Sequence, residues 1–270
     1  MSKTILITGA SSGIGRALAV HYSNPGARLV LVGRNAHRLA ETAYCCRERG
    51  ADAETAIADV RDRDRMREVI EANDSSAPFD IVIANAGVTT GTPAQGQFEP
   101  EGESIYTIEV NLIGVLNTVH PILPRMVSRR HGQIGIVSSI AGLIPVPDWP
   151  SYCASKAGIL SYGRAMRDSL RPFDVGVSVI CAGFVATAMS DRVSGWKPGI
   201  VAPERAAAII ARAIENNRGV KSFPWSLAVL ARIGAMLPDP LRIHFQSAFR
   251  FTVASTTALP HHDSRSRSNP

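Results

Sequence analysis

Tyr152 and Lys156 are two residues whose types and spacing could move a proton together. They stand four positions apart near the start of a predicted helix, so both side chains lie on one helix face. An unperturbed tyrosine has a pKa of about 10 and is a poor base at neutral pH. Because an ammonium group beside it would stabilise the phenolate, the lysine would lower that pKa. The pair therefore predicts a tyrosine that acts as a general acid and base.

A glycine-rich turn near the N-terminus could hold the phosphates of a cofactor. It follows a short apolar run and opens a helix, and its glycines have the spacing GxxxGxG rather than the more familiar GxGxxG. Glycines allow the backbone to approach a pyrophosphate closely, and the helix N-terminus presents unpaired N–H groups to the anion. Phosphate contacts are therefore expected from Gly9, Ser11, Ser12, Gly13, Ile14 and Gly15.

The residue that follows the second predicted strand indicates which dinucleotide is bound. NAD-binding folds usually place an acidic residue here to hold the ribose 2′-hydroxyl, whereas an arginine accommodates the 2′-phosphate of NADP. This chain has Gly33 and Arg34 at that position and no acid. Since the planar guanidinium of Arg34 suits a phosphate, the sequence predicts NADP(H) as the cofactor.

The elements that must position these groups alternate between strand and helix. Continuous apolar runs predict strands at 4–8, 28–32, 79–84, 133–137 and 175–181, and weaker patterns predict strands at 53–58 and 221–223. Helical periodicity predicts helices at 14–22, 36–49, 61–73, 103–129 and 151–171. Strands that are apolar throughout fit a parallel sheet covered on both faces. The predicted fold is an α/β, Rossmann-type, doubly wound parallel sheet of about seven strands with helices on both faces.

The chain is predicted to form a single dinucleotide-binding and catalytic domain over residues 1–258, because no linker interrupts its first 220 residues. Two apolar segments, 225–237 and 241–251, predict a C-terminal helical extension within residues 224–251. Residues 259–270 are rich in Pro, His, Ser and Arg and lack an apolar period, which predicts a disordered tail.

Several motifs occur along the first 190 residues in an order that resembles one known family. They are TGASSGIG at 8–15, Asp59-Val60, Asn85-Ala86-Gly87, Asn111, Ser138-Ser139 and YCASK at 152–156. Together they resemble the short-chain dehydrogenase/reductase family, over about residues 3–190. The resemblance implies an NADP-preferring oxidoreductase that moves a hydride between NADP(H) and a small carbonyl or alcohol substrate.

The resemblance also implies a role for each catalytic residue. Ser139, thirteen residues before the tyrosine, would bind and polarise the substrate oxygen. Tyr152 would give a proton to the carbonyl or take it from the alcohol. Lys156 would hold the nicotinamide ribose and lower the tyrosine pKa. Asn111 matches the family asparagine that supports a water relay from the lysine to solvent.

Further cofactor contacts are implied in the same way. The adenosine would be contacted by Asp59, Val60, Asn85, Ala86 and Gly87. The nicotinamide carboxamide would be contacted by a loop that contains Gly183, Val185 and Thr187. Ala182 stands where the family usually has proline, and this departure puts the rigidity of the loop in doubt.

The composition excludes several other classes of protein. Neither a metal site nor a disulfide framework is expected, because no CxxC pair occurs among Cys45, Cys46, Cys153 and Cys181. The sequence has no apolar run of about 18 residues that predicts a membrane span, and its start does not resemble a secretory signal. The net charge is +6, but the Lys and Arg residues do not form a dense stripe interleaved with aromatic residues, so no nucleic acid is expected as a partner. A cytoplasmic protein is therefore predicted.

The C-terminal part of the chain differs from the rest. From Arg218 onward there are seven basic residues and two acidic ones, so most of the net charge lies here. A helix that packs on a single domain needs an apolar stripe about 100° wide around its circumference. The apolar residues of segment 225–237 span a wider angle, so another surface is expected to cover them. A second subunit of a homo-oligomer is the first expectation. The alternatives are the pocket of a long apolar substrate and lipid, in a weak peripheral membrane contact.

The segment after Thr187 is predicted to form a mobile lid over the substrate, because it follows the nicotinamide loop and is rich in Gly, Pro and Ser. Apolar contacts are expected from Met189, Val193 and Trp196. A position in the core is the alternative for Trp196.

Three other functions fit parts of the pattern. Sugar-nucleotide epimerases and dehydratases also use YxxxK, but they have a different glycine spacing and a larger C-terminal substrate domain. A non-catalytic, cofactor-binding regulatory protein would be expected to lack the tyrosine, the lysine or the serine, and all three are present. The third alternative is a membrane-associated reductase of a lipid-like carbonyl compound.

Overall fold

Seven parallel strands form the central sheet of the computed structural model, which describes residues 3–94, 97–247 and 250–253. In chain order the strands of the protein are β1 (Thr4–Thr8), β2 (Arg28–Gly33), β3 (Asp52–Ile57), β4 (Ile81–Ala84), β5 (Gly132–Ser139), β6 (Val175–Ala182), β7 (Val193–Ser194), β8 (Val220–Phe223) and β9 (Thr252–Val253). The sheet has the order β3-β2-β1-β4-β5-β6-β8, and β7 and β9 form a separate antiparallel pair.

Helices connect the strands and cover both faces of the sheet. They are α1 (Gly13–Tyr22), α2 (Ala36–Arg47), α3 (Arg63–Ser76), α4 (Glu101–Ile108), α5 (Gly114–Val119), α6 (Leu123–Arg129), α7 (Pro150–Leu170), α8 (Ala188–Asp191), α9 (Pro203–Glu215), α10 (Trp225–Met236) and α11 (Asp239–Ser247). Short 3₁₀ turns follow β5 (Ile140–Gly142) and α7 (Arg171–Phe173).

Alternate strand residues enter two hydrophobic cores, one on each face of the sheet. Ile5 and Ile7 pack in the first core with apolar residues of α1, α2 and α9. Leu6 packs in the second core with residues of α3, α5 and α7. Both faces are therefore buried, which explains why the strands are continuous apolar runs. The predicted doubly wound α/β fold with a seven-stranded parallel sheet is confirmed.

A π-helical turn, Glu109–Ile113, interrupts the region that the sequence predicts as one helix over 103–129. The structure has three helices here, α4, α5 and α6, so the prediction of a continuous helix is wrong. The last of them begins with Pro124 in its first turn, where a missing N–H costs no helical hydrogen bond. Asn111 lies within the π turn, and such turns occur frequently at functional sites.

The C-terminal segment departs from the predicted second helix over 241–251. That helix, α11, ends at Ser247, and Phe251 lies in extended chain. The backbone of β9 pairs with that of β7, with Val193 opposite Val253. This pairing replaces the hydrogen bonds that the predicted helix would have made at the end of the segment. The tail predicted at 259–270 lies outside the described residues. Within the described ranges, no helix combines the length and the apolarity that crossing a membrane requires.

Candidate active site

A cavity of about 880 Å³ lies at the carboxyl ends of the parallel strands. The order of the sheet reverses between β1 and β4, and ligands of open α/β sheets bind at such a switch point. One end of the cavity is lined by residues that follow β1, β2 and β3. The other end is lined by residues that follow β5 and β6, together with residues of α10. One continuous space therefore joins the glycine-rich turn to the predicted catalytic residues.

The turn between β1 and α1 has a backbone geometry that favours glycine. Gly9 has a φ of +69° and Gly13 a φ of +53°, values that strain residues with a side chain. A Cβ at Gly15 would lie 2.2 Å from the carbonyl oxygen of Gly9. Because α1 begins at the cavity, its N-terminal N–H groups are available to an anion there. The turn fits the pyrophosphate of a dinucleotide.

Polar contacts with the segment after β4 hold this turn in place. Thr8 Oγ1 accepts hydrogen bonds from the backbone N–H groups of Asn85 at 3.0 Å and Ala86 at 3.1 Å. The side-chain amide of Asn85 donates in return to the carbonyl oxygen of Thr8 at 2.9 Å. The segment predicted to line the adenosine ribose therefore also supports the phosphate turn.

Replacing Gly15 with alanine is expected to weaken NADP(H) binding by about tenfold or more and to lower the melting temperature. The new Cβ meets the rigid backbone carbonyl of Gly9, so the turn must shift. Backbone strain of about 1–3 kcal/mol corresponds to roughly 5- to 150-fold in affinity. Fluorescence titration with NADPH and thermal denaturation measure the two effects.

The matched control for that substitution is Gly102→Ala in α4. A Cβ at Gly102 meets none of the described atoms within 4 Å. The control is therefore expected to bind NADPH normally and to gain about 0.4–1 kcal/mol of stability. Unchanged NADPH affinity in the Gly15 variant would contradict the assignment of the turn to the phosphates.

Arg34 lies at the end of the cavity that follows β2. Its Nη1 lies 3.6 Å from Oδ2 of Asp59, and its guanidinium carbon lies 5.9 Å from the ring centre of Tyr106. About half of its side chain, 53%, is exposed. The guanidinium is therefore oriented by neighbours and still accessible to a ligand.

Asp59 is neutralised by a second arginine rather than by Arg34 alone. Burial acts to raise the pKa of the Asp59 carboxyl, but hydrogen bonds with Arg61 and the charges of Arg61 and Arg34 hold that pKa below its ordinary value. The Arg61 Nη2 lies 2.9 Å from Asp59 Oδ2. Arg61 also lies 3.3 Å from Glu109 Oε2, so it is the exposure of Arg34 that leaves its guanidinium available to a phosphate. Val60 is buried against Gly114, where an added Cβ would lie 2.6 Å from Val60 Cγ2.

The pKa of Tyr152 responds to the side chains of Ser139 and Thr89, which line the cavity with it and act on its hydroxyl as hydrogen-bonding groups. Burial raises the pKa of Tyr152, and these two groups oppose that rise only in part. Ser139 ends β5, and its Oγ also accepts from the backbone N–H of Ala141 at 3.1 Å. The neighbouring Ser138 instead donates to the Lys156 carbonyl at 2.8 Å, so its hydroxyl has a structural partner.

Lys156 is buried close to the tyrosine. Its Nζ lies 5.6 Å from the centre of the Tyr152 ring and donates to the carbonyl of Val137 at 3.2 Å. Burial lowers the pKa of Lys156 to about 8. The groups that oppose the rise in the Tyr152 pKa are Ser139 and Thr89, so the predicted lowering by Lys156 is not observed.

Asn111 is completely buried and does not line the cavity. Its Nδ2 donates to the Val88 carbonyl at 3.0 Å and to Ser155 Oγ at 3.1 Å, and its Oδ1 accepts from the Val88 N–H at 2.8 Å. The asparagine therefore links the segment after β4 to α7. Among the predicted site residues, only Asn111 and Gly15 lie outside the lining of the cavity as described.

The loop after β6 is held by backbone hydrogen bonds despite Ala182 in place of proline. The Gly183 N–H donates to the Phe223 carbonyl at 2.7 Å, and the Ala186 N–H donates to the Val201 carbonyl at 2.9 Å. Thr187 caps α8 and lies against the glycine-rich turn, because its Cγ2 would be 3.2 Å from a Cβ at Gly13. The loop is therefore anchored at both ends beside the predicted cofactor site.

Several cavity residues carry no pattern that could have revealed them in the sequence. Thr89 follows the Asn-Ala-Gly segment by two residues, and Trp149, Phe184 and Phe251 are scattered aromatics. Arg38 is different, since it lies in the first turn of α2, only four positions after Arg34, and that nearness could have indicated a second cation at the cavity.

The predicted lid and C-terminal segment are placed only partly as expected. Met189 and Val193 line the cavity, whereas Trp196 is 66% exposed, so its alternative position in the core is wrong. One flank of α10, including Leu230, also lines the cavity. On the other flank Trp225 is 75% exposed. That a second subunit or lipid covers this flank stays a prediction.

Fold and site together define a nicotinamide-type redox enzyme of the doubly wound α/β class. The family model described as short chain dehydrogenase matches residues 3–198. The chain therefore belongs to the short-chain dehydrogenase/reductase family and is an oxidoreductase of that family.

Relatives and solved structures agree with this assignment. An uncharacterized oxidoreductase of Myxococcus xanthus is 34% identical over 240 residues, which cover 88% of this chain and 94% of that protein. Estradiol 17-beta-dehydrogenase 11 of Homo sapiens is 30% identical over 239 residues, which cover 87% of this chain and 79% of that protein. A crystal structure of a variant of actinorhodin polyketide ketoreductase with NADPH has a TM-score of 0.75 and 25% identity, with 84% of this chain and 97% of that chain covered.

Proposed function

We propose that the protein is an NADP(H)-dependent oxidoreductase that interconverts a carbonyl compound and its alcohol. The observation that carries the proposal is the cavity itself, which joins Ser139, Tyr152 and Lys156 at one end to the glycine-rich turn at the other. The names of relatives also support it, since one is a dehydrogenase of estradiol and one structural neighbour is a ketoreductase with NADPH.

The cofactor would be held along the carboxyl ends of β1 to β6. The glycine-rich turn would bind the pyrophosphate, and Arg34 with Arg38 would bind the 2′-phosphate, since both arginines line that end of the cavity. Lys156 would donate to the nicotinamide ribose, and Thr187 would contact the carboxamide. A bound nicotinamide supplies the hydride for reduction of a carbonyl and accepts one in oxidation of an alcohol.

The proton would be handled by Tyr152. Because burial raises its pKa, the phenol holds its proton at neutral pH and can donate it to a carbonyl oxygen as that oxygen gains charge. Ser139 donates a second hydrogen bond to the same oxygen and polarises the carbonyl. This arrangement favours reduction when NADPH is the cofactor.

Consumption of NADPH with a panel of ketones and aldehydes tests the proposal. Turnover with any of them separates an enzyme from the alternative of a non-catalytic cofactor-binding regulator. A protein that binds NADPH tightly but reduces no carbonyl and oxidises no alcohol would contradict the proposed function. A cytoplasmic location and a homo-oligomeric state are further parts of the proposal, and gel filtration of the purified protein checks the latter.

NADP(H) binding is expected to weaken as the pH rises through about 8. Lys156 has a pKa lowered to about 8 by burial, so the ammonium that would bind the ribose is present below this pH and is lost above it. The dissociation constant should then rise by up to about tenfold per pH unit. A 2′-phosphate titrates near pH 6, roughly two units lower, and does not mask the effect.

Fluorescence titrations with NADPH from about pH 7 to about pH 9.5 measure this dependence. In Lys156→Met, which has no titrating group at the site, affinity is expected to be lower and independent of pH in this range. The same break near pH 8 in this variant would show that another group is responsible.

A further inference from the structure

The end of the cavity over β5 and β6 differs in chemistry from the end over β2 and β3. Its walls are mostly apolar side chains, among them Ile144, Val146, Trp149, Phe184, Leu230 and Phe251. The charged residues in the described lining are Arg34, Arg38 and Asp59 at the opposite end, and Lys156 beside the tyrosine. The space next to the catalytic hydroxyls therefore offers an ionised substrate group no partner beyond Lys156, which the proposed function assigns to the cofactor.

Polar side chains at this end are already engaged. The Gln246 amide donates to the Pro145 carbonyl at 2.6 Å and accepts from Arg242 at 3.3 Å. The Ser190 hydroxyl donates to the Thr187 carbonyl at 2.9 Å. A carboxylate or phosphate on the substrate would lose its hydration here without compensation, which is strongly unfavourable.

Phe251 joins this wall through a clamp between distant parts of the chain. The buried carboxylate of Asp148 accepts from Arg250 Nε at 3.0 Å and from Arg250 Nη2 at 2.9 Å. The same carboxylate accepts from the Phe251 N–H at 2.9 Å. Two bonds to a planar guanidinium and one to the backbone fix the position of the Phe251 ring.

The Phe251 ring completes an aromatic surface that reaches the catalytic tyrosine. It stacks on Trp149 with the ring centres 4.7 Å apart, and it lies 5.6 Å from the Phe184 ring. Trp149 in turn makes an edge contact with Tyr152 at 5.7 Å. A hydrocarbon body that extends from a carbonyl group at Tyr152 would therefore be in contact with apolar surface throughout.

The α10 helix supplies another part of this wall. Ala228 and Ala231 are buried against Ile140 and Ile144, which seats the helix on the domain. Leu230 lines the cavity and its neighbour Val229 does not, although the two are exposed to a similar extent, 39% and 43%. The pocket of an apolar substrate was one of three surfaces considered for this segment, and this geometry favours it for the inner flank.

We propose that the substrate is an uncharged ketone, or the matching alcohol, with a long or bulky hydrocarbon body, and that Leu230 and Phe251 select it. This inference rests on the proposed redox function, which places the carbonyl group at Tyr152. Each methylene buried in the pocket should tighten binding about fourfold until the space is filled.

Binding to the enzyme saturated with NADP⁺ tests this inference without turnover, because the oxidised cofactor cannot reduce a ketone. Calorimetry with a series of 2-alkanones is expected to show affinity that rises with chain length. An oxo-carboxylate of the same length should bind at least about tenfold weaker, because its charge has no partner. Equal binding of the charged and uncharged compounds, or no dependence on chain length, would overturn the inference.

Adjacent residues of α10 provide matched variants for the same measurement. Leu230→Ser is expected to weaken binding of the longest ketone by about tenfold, while Val229→Ser leaves it unchanged. Phe251→Ala should also weaken it. Equal effects of the two serine variants would contradict a role for Leu230.

Turnover distinguishes this inference from the proposed function. If wild-type enzyme reduces small ketones with NADPH while affinity is independent of chain length, the substrate class is wrong and the redox function stands. If apolar ketones bind according to chain length but no ketone is reduced, the redox function fails and the apolar site stands.

Discussion

Replacing Tyr152 with phenylalanine is expected to lower kcat by about 100- to 10,000-fold, the usual contribution of general acid and base catalysis. Only the hydroxyl is lost, the group whose pKa Ser139 and Thr89 lower against the effect of burial. The ring keeps its edge contact with Trp149 at 5.7 Å, so the wall of the cavity should be preserved. NADPH affinity should therefore change little, and steady-state kinetics together with NADPH titration separate the two quantities.

Tyr162 offers a matched control on the same helix, α7. Its hydroxyl interacts with His120 at 3.4 Å, away from the cavity, and burial raises its pKa as it does for Tyr152. Tyr162→Phe should keep kcat close to that of the wild type. If Tyr152→Phe retains more than about a tenth of the wild-type kcat, the tyrosine is not the proton donor.

The parts of the fold that the sequence predicted are those governed by local patterns. Continuous apolar runs indicated the central strands β1, β2, β4, β5 and β6, because burial on both faces requires them, whereas the edge strands β3 and β8 are more polar and were indicated only weakly. The glycine-rich turn was also visible, since Gly9 and Gly13 adopt positive φ values that other residues avoid. The position of Arg34 directly after β2 was enough to predict that it lies at the cavity.

The parts that were missed depend on contacts between distant residues or on burial. Asp148 and Arg250 are about a hundred positions apart and carry no shared pattern, so their clamp on Phe251 could not be predicted. The π turn at Asn111 has no known signature in a single sequence, so periodicity there predicts only ordinary helix. The pKa of Tyr152 was predicted to be low because the effect of burial on both Tyr152 and Lys156 is not visible in spacing.

The opposite ends of the cavity divide its tasks. Charged groups over β2 and β3 suit the phosphates of a dinucleotide, while the walls over β5 and β6 are apolar. The described part of the C-terminal segment contributes to the apolar end, through α10, Gln246 and Phe251. Changes in this segment should therefore alter the choice of substrate without altering the choice of cofactor.

Replacing Arg34 with aspartate is expected to reverse the cofactor preference from NADPH toward NADH. Charge-assisted hydrogen bonds contribute about 1.5–3 kcal/mol, so their loss should weaken NADPH binding by roughly 10- to 150-fold. An aspartate at this position could accept hydrogen bonds from the ribose hydroxyls of NADH. Arg61 lies 2.9 Å from Asp59 but also 3.3 Å from Glu109, so repulsion between residues 34 and 59 should add to the loss of NADPH affinity.

Arg49→Asp controls for the change in total charge that accompanies this substitution. Arg49 is exposed beyond the end of α2 and does not line the cavity. The control should bind both cofactors as the wild type does, whereas Arg34→Asp should change their ratio. Titration of wild type and both variants with NADPH and NADH measures that ratio. Because the 2′-phosphate is the only chemical difference between the two cofactors, equal affinity of the wild type for both would show that Arg34 does not bind it.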